Sequence, residues 1–174
     1  MKATIKSSKR GFTLIELSLA IMFGLAVGAI SMALLNQQLT FLKIFRAQSF
    51  LNEEAPIISN HVSKLLLNAE RFRLHASLDD ALDGDDPQLT DSPVVVLNFR
   101  QPDGTMRAGI LSFEDRGDGE ALYYYVVPLS GPLGEPEWAV TNKPTDVTFF
   151  VESGIIRTRL TGPAGEVITF SGAM

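Results

Sequence analysis

Residues 12–35 read FTLIELSLAIMFGLAVGAISMALL, a run in which Glu16 is the single charge. As an α-helix rising about 1.5 Å per residue, this run spans about 36 Å, more than the roughly 30 Å hydrocarbon core of a bilayer. Lys2, Lys6, Lys9 and Arg10 all precede it, and Gly11 separates them from it. Basic residues on the N-terminal flank of an apolar span hold that end in the cytoplasm and send the C-terminal side across the membrane. A cleaved secretory signal does not fit, because such a signal has an apolar core of about 7–15 residues followed by an A-x-A-like site. A plain signal anchor fits the length and the charge but leaves Glu16 without a task. A carboxylate inside an apolar span is costly unless it has a partner or reaches back to the headgroups, here beside Lys9 and Arg10.

The stretch Lys9-Arg10-Gly11-Phe12-Thr13-Leu14-Ile15-Glu16-Leu17 resembles the type IV prepilin signature: a basic leader, a glycine, a phenylalanine, and a glutamate at the fifth position after the cut. The resemblance covers about the first 30 residues. It implies cleavage between Gly11 and Phe12 by a prepilin peptidase and methyltransferase, and N-methylation of Phe12. It also implies a role for Glu16 in subunit assembly, as the partner of a neighbouring subunit's Phe12 amine. The partners implied are that enzyme, the inner membrane and other pilin-like subunits. The place implied is a single inner-membrane pass with the N-terminus cytoplasmic and the C-terminal domain periplasmic, then a filament or the cell surface. Many major pilins carry a proline in the first helix, and residues 12–35 contain none. That difference favours a minor pilin or pseudopilin, a structural subunit of a type IV pilus or of a type II secretion filament. Gly24 and Gly28, one turn after Ala20, form a small-xxx-small spacing that lets helices approach closely in lipid.

Beyond residue 35 the chain turns polar but keeps a helical period. Phe41, Ile44, Gln48, Leu51, Ala55, Ile58, Val62, Leu65, Ala69 and Phe72 are spaced three and four apart, as in one stripe along a helix. The stripe serves either as a seam with another subunit or as the face covered by the chain's own sheet, with the 41–51 end suited to the first and the 58–72 end to the second. Pro56 removes a backbone donor and predicts a kink near Asn52. An acidic, breaker-rich linker comes next at 76–92, and residues 93–174 hold strand-like runs between turn signals, with clear apolar/polar alternation at 147–152 and 156–160. Strands are expected at 93–100, 105–113, 120–129, 138–140, 147–152, 156–160 and 167–171, with a tight turn at Ser153-Gly154. The expected organisation is a leader at 1–11, a transmembrane half-helix at 12–35, an amphipathic half at 36–75, the linker, and one antiparallel sheet covered by the helix. The fold class is α+β, and the prepilin resemblance implies the same architecture.

Composition narrows the function. The net charge is −5, and without the four leader cations 11 basic residues face 20 acidic ones. Such a surface lacks the Lys/Arg excess that displaces counterions from phosphate, so nucleic-acid contact is not expected. The chain has no cysteine, which removes disulfides, thiolate metal sites and cysteine nucleophiles. His61 and His75 are the only histidines, and no nucleophile–base pair or phosphate-cradling loop can be named, so no enzyme, catalytic residue or cofactor is expected. The six aspartates of 79–91 and the turn at 114–120 offer oxygen ligands of the kind calcium takes. Neither matches a calcium-loop pattern, and both are read as solvated turns, so no metal ligand is named. Tyr123, Tyr124, Tyr125 and Trp138 are read as cross-strand packing. The other function class open to this sequence is a membrane-anchored periplasmic binding module that does not polymerise.

Overall fold

The computed structural model describes residues 12–84 and 87–172; the leader through Gly11 lies outside them. The chain divides between Lys43 and Ile44 into two compact units. The first is helical. Helix α1 (Leu14–Ser49) begins there, and none of its residues is buried. Leu14, Leu25 and Ile30 are all more than 60% exposed. This helical stretch is long and apolar enough to cross a membrane.

In the second unit the helix changes pitch. Residues Phe50–Glu54 form a π-helical turn, and the Ala55 N–H donates to the Phe50 carbonyl. Helix α2 (Ala55–Asn68) comes next, with Pro56 in its first turn. The expected kink at Asn52 is therefore a π-turn, which widens the backbone where the Pro56 ring would crowd the carbonyl four residues before it. It also resets the buried face. Phe50 and Ala55 are both buried although five residues apart, and Ile58, Val62 and Leu66 continue the row. Leu51 and Leu65, on the expected stripe, are only partly buried.

The helix stops at Asn68, short of the expected residue 75. Ala69 is extended (φ −80°, ψ 134°), and residues Arg71–His75 form strand β1. RFRLH alternates basic and apolar residues, a period of two, and its pairing with Val94–Asn98 supplies partners for a sheet edge that a longer helix would leave open. The 76–92 linker is likewise partly ordered. Helix α3 (Leu78–Asp83) is capped by Ser77, whose hydroxyl accepts from Asp80 N at 3.1 Å, and it ends at Gly84 in the left-handed region (φ 78°). Asp79 and Asp80 sit in its first turn, where the helix dipole favours them.

The remaining strands are β2 (Val94–Arg100), β3 (Met106–Asp115), β4 (Glu120–Val126), β5 (Trp138–Thr141), β6 (Asp146–Glu152), β7 (Ile155–Thr161) and β8 (Val167–Ser171). They form two antiparallel sheets rather than the single one expected: β1-β2-β3-β4-β5 and β6-β7-β8. The break falls at Asn142–Thr145, where Pro144 cannot donate to a ladder. A two-way bridge between Ser92 and Phe149, at 2.9 and 2.7 Å, joins the sheets. The Ser153-Gly154 turn has positive φ at both residues (54° and 80°), as the sequence requires of a two-residue hairpin.

Strand β2 is buried on both faces. Val95 and Leu97 join Ile58, Val62, Leu66, Phe149 and Leu160 in the core beneath α2. Val94 and Val96 pack with Ile110, Tyr125 and Ala81 of α3 in a second cluster. Full burial of each such side chain contributes about 1.5–3 kcal/mol relative to exposure. The architecture is α+β, with the C-terminal part of one long helix covering antiparallel sheet.

Candidate functional site

The residues singled out in the sequence sit at the start of α1. Phe12 and Thr13 precede the helix, and Phe12 is 81% exposed. Glu16 folds back onto Thr13: its Oε2 accepts from Thr13 N at 2.9 Å and from Thr13 Oγ1 at 2.9 Å, while Glu16 N donates to Thr13 Oγ1 at 3.3 Å. This reciprocal pair is a capping box, with Thr13 as the cap and Glu16 three residues on. It supplies partners for donors that the first helical turn leaves open, and it holds the negative charge at the positive end of the helix dipole.

The carboxylate is thereby held at Thr13, the residue that follows Phe12. Both of these accepted bonds fall on Oε2. Thr13 is the member of this arrangement that the sequence did not single out. Its signal was the T-x-x-E spacing Thr13–Glu16 ahead of an apolar run. Gly11 itself lies outside the described residues. A Cβ placed at Gly24 or Gly28 would meet nothing within 4 Å, so that stretch of the helix surface is open.

No family model, curated protein or solved structure matches this chain.

The acidic turn at 114–120 is tied together by hydrogen bonds and an ion pair. Asp115 Oδ1 accepts from Gly117 N at 2.8 Å and Gly119 N at 3.1 Å. Glu114 accepts from the Tyr125 hydroxyl and, at 3.1 Å, from Ser112 Oγ, and Arg116 pairs with Glu135. Burial, then the Glu114 bond, pushes the Tyr125 hydroxyl well above the usual tyrosine range. Among the described residues no group of three or more His, Asp and Glu side chains is gathered to hold a metal ion. His61 is exposed on α2, while His75 is buried at the end of β1. Tyr124 stacks on Trp138 with ring centroids 4.6 Å apart, as expected of cross-strand packing.

Proposed function

We propose that this chain is a pilin-like filament subunit, a minor pilin or pseudopilin, inserted in the inner membrane and released from its leader between Gly11 and Phe12. The observation that carries the reading is the arrangement at the start of α1: a lone carboxylate, held by Thr13 beside Phe12, at the head of an unburied apolar helix. Cleavage places an ammonium at Phe12, a charge that lipid tolerates only when paired. Glu16 of a neighbouring subunit supplies the pair, so assembly is registered one helix head against the next. Methylation of Phe12 keeps that charge.

The rest of the chain supports the same reading. Phe41, Leu42, Ile44 and Phe45 extend the apolar surface beyond the membrane half, and each is 49% exposed or more. A helix exposed along this length is stabilised by other helices or by lipid. The test is to express the chain with a prepilin peptidase and the other filament subunits, and to compare it with Glu16→Ala. The variant is expected to insert and to be cleaved as the parent is, but to be absent from sheared filaments. Normal incorporation of Glu16→Ala would favour a membrane-anchored module instead.

A further inference from the structure

Two adjoining depressions, of about 470 Å³ and about 240 Å³, lie along the C-terminal half of α2 and share Leu65 and Asn68 as lining residues. Their sheet side is apolar: Phe99, Tyr124 and Val126 line the larger, and Trp138 and Val140 the smaller. Their charged lining is basic. Arg100 and Arg107 line the larger and Lys64 the smaller, and neither contains an aspartate or glutamate. Arg100 is held by Glu70 through two bonds of 2.7 and 2.8 Å, whereas Arg107 and Lys64 make no ion pair among the described residues. In a chain this acidic, a groove with a basic rim and an aromatic floor selects an acidic segment with an apolar anchor.

Such a segment is present on the other side of the same sheet. Val95 and Leu97 point to α2, and the alternate residues Val94 and Val96 point to α3. On α3, Leu82 is 45% exposed, and Asp79 and Asp83 are exposed beside it. The three are related by steps of three and four residues, so they share one helix face.

We infer that the groove along α2 receives the exposed face of α3 from a second copy of this chain, with Leu82 against the Tyr124–Trp138 floor and Asp79 and Asp83 opposite Lys64 and Arg107. The inference rests on the filament reading above. Groove and α3 lie on opposite faces of one sheet, so one molecule cannot satisfy both in itself. The contact is heterologous and leaves a free groove and a free α3 at its two ends, which is the property of an interface that propagates.

The absence of cysteine makes the test clean. The full-length chain carrying Asn68→Cys and Leu82→Cys together is oxidised in membranes that also contain the prepilin peptidase, with each single variant beside it. The double variant is expected to give a ladder of covalent dimers, trimers and higher species, and the single variants none. In the double-cysteine chain, Arg107→Glu is expected to weaken the ladder by about tenfold, and adding Asp83→Arg to restore it. No ladder from chain that is processed and assembled overturns the docking and leaves the subunit reading standing. Linkage by Asn68→Cys alone, or only to a different protein, also overturns it. Chain that is neither processed nor assembled overturns the docking together with the reading beneath it.

Discussion

The ring of Tyr124 lies across the backbone of Gly109: a Cβ added at Gly109 would come within 2.5 Å of the Tyr124 hydroxyl oxygen and 2.9 Å of its ring. Strand β3 thus leaves a gap that its neighbour β4 fills, and Tyr124 is in turn stacked on Trp138 of β5. Gly109→Ala should push the ring off this seat at a cost of about 1–3 kcal/mol, the range for overpacking a filled site. Trp138 is the chain's single tryptophan, so its fluorescence reports the displacement directly. A shifted emission with lowered thermal stability is the expected result.

The helix face set by the π-turn gives a second prediction. Leu66 is 1% exposed and its neighbour Leu67 is 57% exposed. Leu66→Ala should destabilise the C-terminal unit by about 2–5 kcal/mol, while Leu67→Ala should stay within about 0.5 kcal/mol of the parent. Denaturant midpoints of the two variants compare them directly. Equal losses would mean that α2 presents a different face to the sheet.

Alkaline stability should depend on Tyr125. Burial and the Glu114 bond raise its hydroxyl from the ordinary value of 10.0. A group whose folded-state affinity for its proton is raised adds stability that is complete below its unfolded value and is lost above it. The folded chain should therefore weaken as pH rises beyond about 10, where unfolded tyrosine ionises. Tyr124 is shifted in the same direction by burial and by Glu137, so Tyr125→Phe should flatten the alkaline slope without abolishing it. Thermal melts from about pH 8 to 11 measure the slope.

The capping box separates two roles for Glu16. As a cap alone it would contribute on the order of 1 kcal/mol to the first turn, and Thr13→Ala would remove much the same contribution. As a partner for a neighbour's Phe12 amine, it should be needed where Thr13 is not. Thr13→Ala is expected to enter filaments at a reduced level and Glu16→Ala to be excluded, as read by immunoblot of sheared filaments. Matching losses in the two variants would reduce Glu16 to a cap.

Much of the fold is legible in the sequence, and the misses share a cause. Strands β2 to β8 show because strand-like apolar runs, alternating with polar residues in β6 and β7, lie between Gly, Pro and Asp turns, and the Ser153-Gly154 hairpin is written in two residues. Strand β1 was hidden because Ala69 and Phe72 continue the helical spacing by chance, while RFRLH satisfies a period of two equally well. Only pairing with Val94–Asn98 decides between them. Helix α3 was signalled by Ser77 and Gly84 but masked by the acidic composition around it. The sheet splits in two at Pro144, which cannot donate to a ladder, and the two parts are tied by the Ser92–Phe149 bridge, a contact between residues 57 positions apart that no local pattern reveals. At the candidate site, Glu16 stood out as the lone charge of an apolar run, whereas its hydrogen-bonded partner Thr13 was an ordinary residue until the geometry joined them.

The most direct test of the subunit reading is the intact mass of the membrane-extracted chain, measured with and without a co-expressed prepilin peptidase. The account predicts a peptidase-dependent species that begins at methylated Phe12. A chain that still begins at Met1 beside an active peptidase would contradict it.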